Sequence, residues 1–314
     1  MANTTADLLT SVQARAFWPS SGAPLTDAQI LTLANEELRD YVFPFVLQAR
    51  SEYRLADLDH SITSSTQLYR CPPRAHAGRL SDVLYVDTNS NETSLDRMWL
   101  EEVGNQGQLH GTVASSIGRD YQWFFKGDFV GLYPTPSTTA DTLRLRYYMR
   151  PGKLVTEAAA GQITAITGAT LTIATVPATW TTANTFDLVS ATGTHATLAI
   201  DLAAGTVNTG ASADIDLSVA PTSELAVGDW IALAGESPIP NIPEAVHSLL
   251  YHRTVIRMME GAGDLDKWKL ANAATAGYED AARKLLSDRI DGEPDIIMPN
   301  YSALRTVHRG TSFR

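Results

Sequence analysis

Cysteine is nearly absent. A single residue, Cys71, stands in 314, which removes any internal disulfide framework and any multi-thiolate zinc site. No window holds the ~20 consecutive apolar residues that a helical membrane span needs. The opening stretch MANTTADLLTSVQARAF has neither a basic start nor an apolar run of signal length, so the expectation is a soluble, acidic protein made and kept in a reducing cytosol, or in something assembled there. Basic residues are also scarce: 24 Lys plus Arg face 35 Asp plus Glu, for a formal net charge of −11. A free-standing nucleic-acid binder displaces phosphate counterions with a basic surface, and this composition argues against one. There is no G-x-S-x-G elbow, Walker loop, H-E-x-x-H or C-x-x-C, and no catalytic, cofactor or metal residue is assigned.

What is present is core material. Hydrophobic residues make up 44% and charged residues 19%, which excludes wholesale disorder. Charge divides the chain into three. Residues 151–240 hold one basic side chain, Lys153, against eight acidic ones, whereas residues 241–314 hold ten of each. The middle is rich in Thr, Ala and Gly and is a different kind of sequence from its flanks.

The first third opens with helices. Thr26-Asp27-Ala28-Gln29 fits a capping box, and Ile30, Leu31, Leu33, Ala34, Leu38, Val42 and Phe45 recur at helical spacing. Pro44 predicts a kink or break near Tyr41–Val42. Short apolar runs then predict strands at 66–69, 83–86, 122–125, 129–133 and 142–148, with Lys126-Gly127-Asp128 as a tight hairpin. In the middle third, runs at 162–166, 169–173, 185–189, 196–200, 213–217 and 230–234 predict a small all-β sandwich or barrel. Pro243 opens a helix with Ala245, Leu249, Val255, Ile256 and Met259 facing a core, ended by Gly261-Ala262-Gly263. A second helix, capped by Asp264 or Asp266, runs to about 289 with Leu270, Ala273, Ala274, Tyr278, Ala281 and Leu285 as its expected buried side. The fold class is therefore α+β. It combines N-terminal helices and an antiparallel sheet (1–155), an inserted β domain (156–235), an antiparallel helical pair (236–289) and an extended arm (290–314).

The chemistry-bearing side chains read blandly. Gly261-Ala262-Gly263 follows a helix rather than a strand, so it stops that helix and does not cradle phosphate. His247 and His252 lie roughly 140° apart around a helix axis and cannot readily share a metal. Cys71 reads as a small buried residue at a strand end rather than a reactive thiol. Asp201, Asp214 and Asp216 match no calcium loop and read as turn acids. The run Tyr121, Trp123, Phe124, Phe125, Phe129, Tyr133 reads as sheet core rather than a stacking platform. Arg253 and Arg257, one turn apart, either grip an acidic partner or form a solvated face with Glu260.

Several phrases together resemble a known family. "YVFPFVLQARSEY" closes the first helical region, "FVGLYPTPSTTADTLRLRYYMRPGKL" spans 129–154, and "DWIALAGESPIPNIPE" precedes the helical pair, which ends in "DRIDGEPDII". These resemble the head-to-tail adaptor (connector) proteins of tailed bacteriophages, over most of 25–155 and 228–298 but not the β-rich middle. The resemblance implies a virion structural protein of the neck, assembled in the host cytoplasm: a homo-oligomeric ring, commonly dodecameric, beneath the portal protein. Such a ring joins a downstream tail or nozzle protein and lines the channel through which genomic DNA passes without sequence-specific contact. No enzyme activity, cofactor or membrane is expected. Ring packing falls to the helical pair, including Arg253, Arg257 and Tyr278. Portal or neighbour binding falls to the arm: Ile296, Ile297, Met298, Tyr301, Leu304, Arg305, Arg309 and Arg314. The arm's apolar residues cannot bury themselves as a lone coil, so they dock on a partner or fold back on the chain's own helices. Two other classes stand beside this one, a phage-delivered peptidoglycan hydrolase and a carbohydrate- or receptor-binding module that reads with the β-insert.

Overall fold

The structure is a computed structural model that describes residues 4–16, 25–101, 121–137, 141–208 and 213–286. It is α+β, with helices and antiparallel sheets in comparable amounts.

The helical body is built from α1 (Thr5–Arg15), α2 (Asp27–Glu37), α3 (Phe43–Ala49), α4 (Glu244–Ala262) and α5 (Leu265–Leu285). Thr26 and Gln29 form the expected capping box at the start of α2, and Thr4 with Asp7 forms another at α1. Pro44 does not break the chain. Lacking an N–H, it leaves the ladder one bond short, and the backbone widens into a π turn over Leu38–Val42 in which the Phe43 N–H donates to the Leu38 carbonyl. α2 thus continues into α3 with a local bulge rather than a kink. The body core gathers Leu8 and Val12 of α1, Ile30 and Ala34 of α2, and Val246, Leu249, Leu250, Val255 and Met258 of α4. Gly263 ends α4 in the left-handed conformation (φ 72°), and the Asp264 N–H donates to the Met259 carbonyl at 3.1 Å.

Two four-stranded sheets face each other. The first has the order β1 (Leu55–Ser61), β8 (Thr142–Met149), β3 (Ala75–Val86), β4 (Glu92–Ser94). The second has β2 (Leu68–Arg70), β7 (Phe129–Tyr133), β6 (Gln122–Lys126), β5 (Asp96–Arg97). Strict alternation along β8 sends Leu143, Leu145, Tyr147 and Met149 inward and turns Arg144 and Arg146 outward. Register places Asp59 opposite Arg144 and Asp57 opposite Arg146, and both guanidinium groups close a bidentate pair at 2.8–3.2 Å. Strand β1 buries neither face, so alternation of hydrophobicity could not announce it. Gly131 is required where it stands: a Cβ there would lie 2.2 Å from the ring of Phe124, its cross-strand partner.

The middle of the chain is a closed barrel, β10 (Gly161–Thr167), β11 (Thr170–Ile173), β14 (Asp214–Leu217), β13 (Thr197–Val207), β12 (Thr185–Val189) and β15 (Trp230–Leu233), in that order round the circuit. Its interior is its own, centred on Leu171, Phe186, Leu188, Ile215 and Ile231. The chain enters it from β9 (Lys153–Leu154) and leaves through β16 (Glu236–Ser237), which pair side by side in parallel. Asn35 of α2 fastens this root: its side chain accepts from the Leu154 N–H at 2.6 Å and donates to the Leu154 carbonyl at 3.1 Å. Arg74, before β3, holds Asp187 of β12 at 2.6 Å and Asp201 of β13 at 2.8 Å. Among the described residues no helix is long and apolar enough to cross a membrane.

Candidate interaction site

The residues expected to pack the ring, Arg253, Arg257 and Tyr278, lie where α2, α4 and α5 meet. Glu37, the last residue of α2, continues the stripe of Ile30, Ala34 and Leu38 that faces the body core, and is only 1% exposed. A buried carboxylate needs partners. Arg253 supplies Nε at 2.8 Å, and Arg257, one helical turn on, supplies its own Nε to the other oxygen. Arg253 also lies over the Tyr41 ring at 3.9 Å, and Arg257 reaches Glu260 at 3.1 Å. The Tyr41 hydroxyl donates to Glu279 of α5; burial first, and that carboxylate second, push its pKa up. Arg253 and Arg257 are therefore spent within the chain on a buried acid; Arg253 is largely enclosed there, and only Arg257 is half exposed. The expectation of a solvated face with Glu260 describes Arg257 in part and misses Glu37 altogether.

Tyr278 stacks on His252 at 4.2 Å and 20° between planes, and the same imidazole Nε2 lies 2.9 Å from the Ala271 carbonyl. His252 is thus a packing residue of the helical pair, with its pKa lowered mainly by burial. His247, on another side of α4, stacks on His195 instead.

The outer face of α5 departs from expectation. Leu270, Ala273, Ala274, Ala281 and Leu285 are exposed, Leu270 at 76% and Leu285 at 67%; only Tyr278 of the expected set is half-buried. Trp268, Ala271, Thr275, Ala282 and Leu286 take the inner face. The helix carries two apolar stripes, and periodicity alone cannot tell which meets α4. The outer stripe, Leu270-Ala274-Gly277-Ala281-Leu285, is narrow and small-residued, and a Cβ on Gly277 would meet nothing within 4 Å.

Elsewhere the candidates stay quiet. Asp201 pairs with Arg74 and Asp216 accepts from Thr170 at 2.6 Å, so these acids do not converge, and no group of three or more metal-ligating side chains occurs among the described residues. Cys71 is half-buried, and burial pushes its thiol pKa up, away from reactivity. Phe124 is core as expected, while Trp123 and Phe125 are half-buried in a T-shaped pair at 5.0 Å, with the Arg97 guanidinium above Trp99, Trp123 and Phe125 at 4.9–5.6 Å. Ile296, Ile297, Met298, Tyr301, Leu304, Arg305, Arg309 and Arg314 lie outside the described residues.

The chain matches no family model and no curated protein. It offers an apolar helix face on α5 and a pair of arginines anchored on a buried acid on the adjoining α4.

The sequence did carry a sign of the Glu37 clamp. A glutamate in register with Ile30 and Ala34 on a core-facing stripe demands a cation, and Arg253 with Arg257 at i and i+4 is the arrangement that can provide two.

Proposed function

We propose that the protein is a virion structural subunit, a head-to-tail adaptor that assembles into a ring under the portal and lines the DNA channel. The observation that carries this reading is the outer stripe of α5. A helix of 21 residues that buries only Thr275 and Ala282 fully, yet aligns small and apolar residues on its far side, is suited to close packing against another helix. In the adaptor reading that helix belongs to the next copy, with the anchored Arg253 and Arg257 at the edge of the contact. The formal charge of −11 also suits a conduit, since carboxylates along a bore keep phosphates from adhering. The segment 290–314 would lock to the portal or a neighbouring subunit, as the resemblance implies.

The test is mass measurement and electron microscopy of the purified protein, alone and mixed with portal particles. A ring of defined stoichiometry on the portal is expected. A chain that stays monomeric and unbound with portal present overturns the reading. Deleting residues 290–314 should leave a folded protein that no longer joins portal particles; if the truncated chain still assembles, the arm does not have that role.

A further inference from the structure

The junction between barrel and helical body contains a buried, stacked pair of histidines. His195 is the only histidine from the first barrel strand to the last, and sits in the β12–β13 loop with φ 50°. His247 is in the first turn of α4. Both are 2% exposed, and their rings stack at 5.1 Å with 27° between planes. His195 Nδ1 lies 3.3 Å from the Ser190 carbonyl, and His247 Nε2 lies 3.2 Å from the Ile242 carbonyl. A carbonyl only accepts, so each ring spends its single N–H there. The other nitrogens, His195 Nε2 and His247 Nδ1, are buried with no hydrogen-bond partner. Asn241 ties the same loop down, donating to the His195 carbonyl at 3.1 Å and accepting from the Gly152 N–H at 3.1 Å.

The surroundings favour neutral rings. From α4, Glu244 works against this by raising the His195 pKa, but burial outweighs it; Tyr251 lies 6.2 Å from His247. From α1, Asp7 and Arg15 act on Tyr251 with opposite signs. In the barrel, Asp229 is occupied by the Ala191 and Ala226 amides. The stretch before α4 contributes Ile239, Ile242 and the carbonyls of Pro240 and Ile242. His247 also sits at the positive end of the α4 dipole. A second proton on either ring would create a buried N–H with no acceptor and, once both carry charge, two like charges face to face.

We propose that the His195–His247 stack is an acid-released latch, which holds the barrel against the helical body while both rings are neutral and lets the β12–β13 loop leave α4 when they are protonated. The barrel itself stays folded, because its core is separate and contains no other imidazole. Burial first, and His195 second, lower the His247 pKa to about 4, and burial lowers that of His195. In the open state the solvated rings titrate near 6.5. The closed state binds fewer protons, so closure is at full strength above about pH 6.5 and weakens as pH falls toward 4. For His247 alone this shifts the closing equilibrium roughly thirtyfold by pH 5.

Amide exchange of the full chain at pH 7.5 and 5.0, corrected for intrinsic rates, tests this. Peptides covering 190–196 and 239–247 should lose about thirtyfold in protection at pH 5.0, with those of β11 and β14 unchanged. The variant H195N/H247F, with Asn to tolerate the positive φ and Phe to keep a ring on α4, should show no acid response at the junction. Protection that persists at pH 5.0, an equal loss in the variant, or simultaneous loss across the barrel overturns the proposal. Should the variant not fold, titration of the wild-type imidazoles by NMR decides. Rings neutral until the junction opens are expected, and rings that titrate near 6.5 with the junction closed overturn the latch.

Discussion

The barrel and the helical body solve the same problem in opposite ways. The barrel closes its strands on themselves, so that β10 meets β15 and no long edge is left, and it fills its interior with its own side chains. The body instead buries α4 almost all round and leaves α5 with one face covered and the other bare. One region is complete as a single copy. The other has surface left for something else, and its buried acid Glu37 is satisfied by cations more than 200 residues away in sequence.

Three substitutions sharpen that contrast. Phe186→Ala, at the barrel centre, should cost about 3–5 kcal/mol of barrel stability. Exchange protection should fall across β10–β15 while the α4 and α5 peptides keep theirs; loss in both regions would mean that they fold as one unit. Glu37→Ala should cost the body about 2–3 kcal/mol, below the usual figure for a buried ion pair because Arg257 is half exposed. Its thermal transition should shift with barrel exchange unchanged. Gly277→Leu has the smallest effect on the monomer, a gain of up to about 1 kcal/mol from helix propensity. The same substitution should abolish ring formation, because the added side chain stands in the outer stripe; a ring of normal stoichiometry from this variant would remove α5 from the subunit contact.

Local signals in the sequence found local structure. The hairpin of β6 and β7 and the strand 185–189 stand where turn residues and β-branched runs put them, and the Thr26 cap and Gly263 stop hold. Pairings between distant segments were not legible. Closure of Gly161 against Ile231 joins strands 70 residues apart, and nothing in either strand names the other. Strand β1 has no hydrophobic signal, because Leu55–Ser61 has no buried side chain and is held by a backbone ladder and by arginines from β8. On α5 hydrophobicity points to the wrong stripe, because Leu270 and Leu285 are stronger hydrophobes than the Ala271, Thr275 and Ala282 that face the body. Pro44 signalled an irregularity correctly, but its outcome, a π turn instead of a kink, depended on α3 being held in place by the core around Phe45 and Val46.

Because the incoming and outgoing chains of the barrel lie beside one another at β9 and β16, everything between them is a cartridge that enters and leaves the frame at one place. Such a segment can be lengthened, trimmed or exchanged without re-threading any helix of the body. Changes of outer surface and changes in the frame that carries it are in that sense free to proceed separately.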